Sequence, residues 1–280
     1  MNKVAFVTGA SRGIGRETAL AFARAGFDLA ISARSVEEGE RHTHGLSNPD
    51  GTPLPGSLNG TAEAIRALGR KALVVPMDLL DSASVLAASK AVFAEYGRVD
   101  VLINNAIYQG SDLNAAFMAL DPTTLERVFQ GYVMTPFLLT RAVVDGMLEQ
   151  GGGVVINVTS GAGESDPPVA AGKGGWGYAY GAGKAVVSRL SGILSVELGE
   201  QGIRAYTLNP GVVTTDALRA TIGDKGVIAL RAGSAPPQVP AAVMLWLIEP
   251  LFFFSLIGSV PLLLLATWGF KRIAQRNWAK

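Results

Sequence analysis

The chain has 280 residues, 49% hydrophobic and 17% charged, with a formal net charge of +1. That balance suits one large buried core and offers no basic stripe for nucleic acid. There is no cysteine, which excludes disulfide frameworks and thiolate metal sites and agrees with a reducing compartment.

Met1 leads straight into a strand-like run without the basic and apolar regions of a signal peptide, so the N-terminus reads as structural. Lys3–Thr8, KVAFVT, is that first strand. Gly9-Ala-Ser11-Arg12-Gly13-Ile14-Gly15 follows at once, and a helical pattern then runs through Ala25. Glycines let the backbone approach a phosphate, and the helix start behind them offers free N–H groups and a positive dipole end. A glycine run between a strand and a helix is the context that a dinucleotide-binding turn requires.

Asp28–Ala33 is the second strand and ends on Arg34. An acid at that point would hydrogen-bond a ribose 2′-hydroxyl, whereas an arginine suits a 2′-phosphate, so Arg34 argues for NADP over NAD. Arg12, inside the glycine turn, could add a second positive charge to the same pocket. From Ser35 to Leu58 the turn signals Asn48-Pro-Asp-Gly51 and Pro53-Leu-Pro55-Gly56 mark a long surface loop. It reads as an insertion that could also cover the adenosine end of a cofactor. His42 and His44 lie in it and read as solvated residues, not metal ligands.

Helix resumes over Thr61–Leu68, and Ala72–Pro76 is the third strand, followed by Asp78-Leu79. Ser82–Tyr96 is an amphipathic helix, and Val101–Asn104 a fourth strand leading into Asn105-Ala106. Leu125–Leu148 is a long helical stretch that Pro136 should kink or break. Gly153–Thr159 is the fifth strand and delivers Ser160 at its carboxyl end, where ligands bind in such sheets. A further helix runs to about Leu198, and Ala205–Leu208 is the sixth strand. Alternating strands and helices imply an α/β fold of the Rossmann-like, doubly wound kind, with a parallel sheet and helices on both faces.

The helix before the sixth strand carries Tyr180-Gly-Ala-Gly-Lys184. Four residues apart, the tyrosine and lysine share one face, and their polar tips can reach one site. A phenol with an ordinary pKa of about 10 needs a neighbouring cation to work near neutral pH. Such a pair suits carbonyl–alcohol chemistry.

Thr8-Gly-x-x-x-Gly13-x-Gly15, Asp78, Asn104-Asn-Ala106, Ser160, Tyr180-x-x-x-Lys184 and Asn209-Pro-Gly211 occur together in an order that resembles the short-chain dehydrogenase/reductase family. The resemblance covers roughly residues 3–220, and the loop ending in Leu54-Pro-Gly56 resembles the hydroxysteroid dehydrogenase-like branch. It implies that Tyr180 protonates the carbonyl oxygen as hydride arrives from a nicotinamide. Lys184 would lower the Tyr180 pKa and bind the nicotinamide ribose, while Ser160 would hold the substrate oxygen. Gly9, Ser11, Arg12, Gly13, Ile14, Gly15, Arg34, Asp78, Leu79, Asn105, Tyr180, Lys184 and Val213 would contact NADP(H). A homo-oligomer is expected, with no metal and no nucleic acid. The rival reading is a non-catalytic nucleotide-binding or membrane-scaffolding protein.

Two departures stand out. Tyr132 occupies the place where the family carries a catalytic asparagine that holds a water in its proton relay. Its presence leaves slower turnover, a relay rebuilt from another group, or lost activity. Ser160 and Tyr180 are also unusually far apart, because Gly163–Trp176 contains extra residues. That insertion makes Trp176 and Tyr178 candidate pocket walls, and Ile107 stands where the family has glycine.

The expected division is a nucleotide-binding domain over 1–235 and an apolar C-terminal segment over 236–280. In one reading Val239–Ile248 is the last helix and Gly258–Leu265 the last strand. In the other, the uncharged stretch Leu251–Phe270 enters a membrane, which takes about 20 apolar residues. Lys271, Arg272, Arg276 and Lys280 then form a basic cluster. A segment that bends near Pro261 would keep both the domain and the basic tail on the cytoplasmic side. A lipophilic carbonyl or alcohol is the substrate expected of such a protein.

Overall fold

The computed structural model describes residues 2–221 and 233–248. Six strands form the main sheet: β1 (Val4–Thr8), β2 (Asp28–Ala33), β3 (Ala72–Pro76), β4 (Val101–Asn104), β5 (Gly153–Val158) and β6 (Ile203–Leu208). Their spatial order is β3-β2-β1-β4-β5-β6, and every neighbouring pair is parallel. The order reverses between β1 and β4, which opens a crevice at the carboxyl ends of those two strands. This is the Rossmann-like doubly wound fold that the strand–helix alternation implies.

Side chains alternate across the sheet, so each central strand feeds two cores. Ala5 and Val7 of β1 face a cluster with Phe22 of α1 (Gly13–Arg24) and Leu58 and Ile65 of α2 (Leu58–Ala67). Phe6 faces the opposite cluster, with Val92 of α3 (Ser82–Tyr96) and Leu139 and Met147 of α5 (Thr135–Glu149). Burying a side chain such as Phe6 contributes about 1.5–3 kcal/mol, so these two layers hold the crevice rigidly in place. A smaller cluster above the sheet joins Tyr108, Val128 and Tyr132 to Ala179 and Val187 of α6 (Tyr178–Leu198).

The strands fall where the sequence places them, with β6 starting two residues before the expected Ala205. Helix α2 starts earlier than Thr61, because the Ser57 side chain accepts from Gly60 N–H at 3.0 Å and caps the helix there. Pro136 does not break the helical path. The chain runs from α4 (Pro122–Val128) through a π-helical turn, Phe129–Met134, into α5. The missing proline N–H falls where the helical register changes, at the start of α5, so the cost of losing it is small.

Helix α7 (Gln238–Ile248) packs on α1 and sends Met244, Leu245 and Ile248 into the first core. A two-residue pair, β7 (Val212–Val213) and β8 (Ser234–Ala235), lies between β6 and α7 in the chain. The stretch Leu251–Phe270 and the strand expected at Gly258–Leu265 lie outside the described residues. Among the described residues, no helix is long and apolar enough to cross a membrane.

Candidate active site

The turn between β1 and α1 requires glycine at three positions. Gly9 has φ +68° and Gly13 φ +56°, conformations that a side chain disfavours. A Cβ on Gly15 would stand 2.2 Å from the Gly9 carbonyl oxygen and 2.7 Å from Asn105 Nδ2. The buried Thr8 hydroxyl accepts from both Asn105 N–H and Ala106 N–H at 3.0 Å, and donates to the Ile103 carbonyl at 3.1 Å. Asn105 Nδ2 donates to the Thr8 carbonyl at 2.9 Å. Asn105 thus ties the end of β4 to the turn, and its amide N–H is spent on the protein. A cavity of about 240 Å³ opens beside the turn between Ser11, Arg12, Gly13, Thr214 and Thr215, a setting that fits a diphosphate.

The loop between β2 and α2 docks onto this turn. Arg12 Nε donates to the Pro55 carbonyl at 2.8 Å, and Arg12 Nη2 to the carbonyls of Leu54 and Gly56 and to Ser35 Oγ. Arg34 Nη1 donates to the Thr43 carbonyl at 3.0 Å. Both arginines expected at a 2′-phosphate therefore also hold the loop. His42 is not the solvated residue its surroundings in the sequence suggest. It is half-buried, with Nε2 3.2 Å from Ser35 Oγ and 3.4 Å from Glu40 Oε2. Burial, then the nearby Arg34 charge, push its pKa below the usual imidazole range. His44 is exposed, as expected, and its ring lies 6.4 Å from that of Tyr108. Among the described residues no cluster of His, Asp and Glu is placed to hold a metal ion.

Asp78 and Leu79 follow β3. Asp78 Oδ1 accepts from Leu80 N–H at 2.9 Å and shapes the turn into α3, while Leu79 packs on the second core and accepts from the Thr135 hydroxyl. Val213 is buried in the β7–β8 pair and Ile14 packs against the first core.

Ser160, Tyr180 and Lys184 come together at the carboxyl end of β5. Ser160 leads into a short 3-10 turn, Gly161–Gly163, where its hydroxyl accepts from Ala162 N–H at 3.3 Å and lies close enough to the Tyr180 phenol to act on its proton. The insertion that separates them in sequence therefore loops out without parting them. Its end is pinned where Gly177 N–H donates to Asn114 Oδ1 at 3.1 Å. Burial raises the Tyr180 pKa above the ordinary phenol value, and the Ser160 hydroxyl pulls it back down.

Lys184 is 3% exposed and its Nζ donates to the Val158 carbonyl at 2.9 Å. Burial brings its pKa down to about 7. The causes of the Tyr180 shift are burial and then Ser160, while the Lys184 ammonium is engaged with the Val158 carbonyl. Tyr132 is fully buried, and its hydroxyl donates to the Tyr108 carbonyl at 3.1 Å. Burial pushes its pKa well above the ordinary phenol value, and its proton goes to that carbonyl.

Helix α6 is fastened to the sheet by a buried polar chain that the sequence did not reveal. Asn104 Nδ2 donates to Asn157 Oδ1 at 2.8 Å and to Thr140 Oγ1 at 2.9 Å. Asn157 Nδ2 donates to Ser191 Oγ at 2.8 Å, and Thr207 Oγ1 to the same hydroxyl at 2.8 Å. Thr159 Oγ1 donates to the Lys184 carbonyl at 3.1 Å. These bonds fix the height of Tyr180 and Lys184 above the strands. The available signal was an asparagine interrupting each of two apolar strand runs.

On the open side, Phe117 and Tyr178 meet edge to face at 6.2 Å and both are exposed, beside the still more exposed Met118. Asp112 anchors the segment that leads to them, accepting from Tyr108 Oη at 2.9 Å and Arg127 Nη1 at 3.1 Å, and from the Thr124 hydroxyl.

A switch-point crevice with a glycine turn on one side and a Ser–Tyr–Lys group on the other defines a dinucleotide-dependent oxidoreductase fold. The family profile described as short chain dehydrogenase matches residues 3–52 and 54–225, and the chain belongs to that family, which uses nicotinamide cofactors. The 7alpha-hydroxysteroid dehydrogenase of Escherichia coli (strain K12) is 29% identical over 220 residues, 79% of this chain and 74% of that one. The D-threitol dehydrogenase of Mycolicibacterium smegmatis is 34% identical over 216 residues, 76% of this chain and 71% of that one. The match to the short chain dehydrogenase mpl6 of Monascus purpureus, 32% identical, spans 66% of that protein and 76% of this one. Among solved structures, a 7 alpha-hydroxysteroid dehydrogenase complexed with NADH and 7-oxo glycochenodeoxycholic acid superposes with TM-score 0.72 at 27% identity, covering 90% of this chain and 89% of that one.

Proposed function

We propose that the protein interconverts a carbonyl and an alcohol with NADP(H), on a lipophilic substrate. The observation that carries the reading is Ser160 close enough to act on the Tyr180 phenol, with the buried Lys184 one turn further along the same helix. Bound in the crevice, the nicotinamide would supply or accept hydride. The chain's own part is to place the substrate oxygen between Ser160 and Tyr180, and Tyr180 gives its proton to that oxygen in the reduction direction. Ser160 then stabilises the charge that develops there. The depressed Lys184 pKa puts its charge near balance at neutral pH, so a small change in its surroundings governs how strongly it supports the phenol.

The preference for NADP(H) rests on Arg34 at the end of β2, with Arg12 close enough to act on its charge. NADH in the 7 alpha-hydroxysteroid dehydrogenase makes the comparison of the two cofactors a necessary test. Calorimetric titration with NADPH and NADH side by side should show tighter NADPH binding, and equal or weaker NADPH binding would reject the preference. The exposed Phe117, Met118 and Tyr178 support a lipophilic substrate. A 7-oxo bile acid and D-threitol make a suitable first panel, with the bile acid expected to turn over best.

Two further readings have separate tests. Val186, Ile193 and Val196 form an exposed apolar stripe on α6 that suits a homo-oligomer, to be checked by light scattering. Membrane contact through Leu251–Phe270, on the cytoplasmic side, predicts that the full chain pellets with liposomes.

A further inference from the structure

Tyr132 is the largest fully buried side chain among the described residues, yet the chemistry above does not use its hydroxyl. Its ring is the part that faces the site: Lys184 Nζ lies 5.7 Å from the ring centroid. The neighbourhood is shaped for that ring. A Cβ on Gly183 would stand 2.7 Å from Tyr132 Cδ1, and one on Gly131 would stand 2.9 Å from Tyr108 Cβ. Glycine at both positions lets α6 and the π-helical turn close on the tyrosine, and the Tyr108 carbonyl fixes its far end.

We propose that Tyr132 is a positioning residue for Lys184, its ring face holding the ammonium at the end of β5 by cation–π attraction. This rests on the reading of Lys184 as part of the active site. An ammonium carries three donors, and the described partner of this one is the Val158 carbonyl. The electron-rich ring face supplies a second attractive surface where water is excluded. The titratable groups around it are Tyr180 on its own helix, Tyr132 on the π-helical turn and Tyr108 beyond, all neutral phenols below pH 10 because burial raises each of them. Burial is the cause of the low Lys184 pKa, and the ring works against it by favouring the charged form. An aromatic ring therefore does by its face what a polar side chain would do by hydrogen bonds.

The test needs neither substrate nor cofactor. With ¹³C-labelled lysine, Lys184 is assigned by the resonance lost in Lys184→Met, and its titration is followed in wild type, Tyr132→Phe and Tyr132→Leu. Phenylalanine keeps the ring and should leave the midpoint in place. Leucine should lower it by about one pH unit, the equivalent of a desolvated cation–π contact. An unchanged midpoint in folded Tyr132→Leu would overturn the proposal. If that variant does not fold, the wild-type Lys184 side-chain protons decide: a ring-current upfield displacement is expected, and ordinary positions would overturn it. Failure here leaves the active-site reading intact, since that is tested separately by the turnover of Tyr180→Phe.

Discussion

At the glycine turn the groups that would meet a ligand are backbone, and the side chains around it, Thr8 and Asn105, are spent on holding that backbone. On α6 the working groups are side chains, and what holds them is a buried polar chain reaching across β4, β5 and β6. The turn is a rigid mould that tolerates almost no added atom. The α6 face is packed by side chains instead, with Gly183 making room for the Tyr132 ring. Nucleotide binding and chemistry should therefore fail separately and by different causes.

The largest effect on binding should come from Gly15→Ala. The added carbon meets the Gly9 carbonyl oxygen at 2.2 Å, and backbone cannot step aside cheaply. Overpacking of this kind costs about 1–3 kcal/mol, and binding of either nucleotide should fall more than about tenfold as the turn distorts. Urea unfolding and calorimetry check the two parts. If binding is unchanged, the turn is not the mould described.

Asn157→Ala should act on the other region. It leaves Asn104 Nδ2 and the Ser191 hydroxyl short of a buried partner, a loss of about 1–3 kcal/mol in stability. Turnover should drop while nucleotide affinity holds, since the turn is untouched.

The pH dependence sharpens the contrast further. Lys184 titrates near 7 in the fold and, like any lysine, near 10.4 when unfolded. Between those values the unfolded chain binds the extra proton, so stability should rise as pH increases from about 7 toward 10. Below 7 the cost of burying the charge is present in full. Lys184→Met should remove this slope, as read by thermal melts across that range; a slope that persists in the variant would assign it elsewhere.

The smallest effect is expected of Arg12→Ala, which releases the loop carbonyls of Leu54, Pro55 and Gly56. Stability should fall by about 1 kcal/mol. NADPH affinity should weaken a few-fold, and NADH affinity less.

The strands, their alternation with helices and the glycine turn were legible because each depends on local pattern. Ser160, Tyr180 and Lys184 were legible as spacing, and the structure brings them together despite the insertion between Ser160 and Tyr178. The direction of the Lys184 ammonium was not, because it depends on Val158 and Tyr132, which approach from other elements. The asparagine chain was hidden for the same reason: Asn157 sits in an apolar run, and its partner Ser191 is on a helix far along the sequence. The loop carrying His42 has no periodicity, and its docking is decided by the reach of Arg12. Pro136 signalled a break only under the assumption of α-helical register, and the π-helical turn removes that assumption.

The most direct test of the account is to measure turnover and nucleotide affinity together in wild type and Tyr180→Phe, with NADPH and the 7-oxo bile acid as probes. The account predicts turnover in the wild type, a loss of roughly 10²–10⁴-fold in the variant, the range of general acid–base catalysis, and unchanged NADPH binding. Equal turnover in the two proteins would contradict it, as would a wild type that binds NADPH and does not reduce the 7-oxo bile acid.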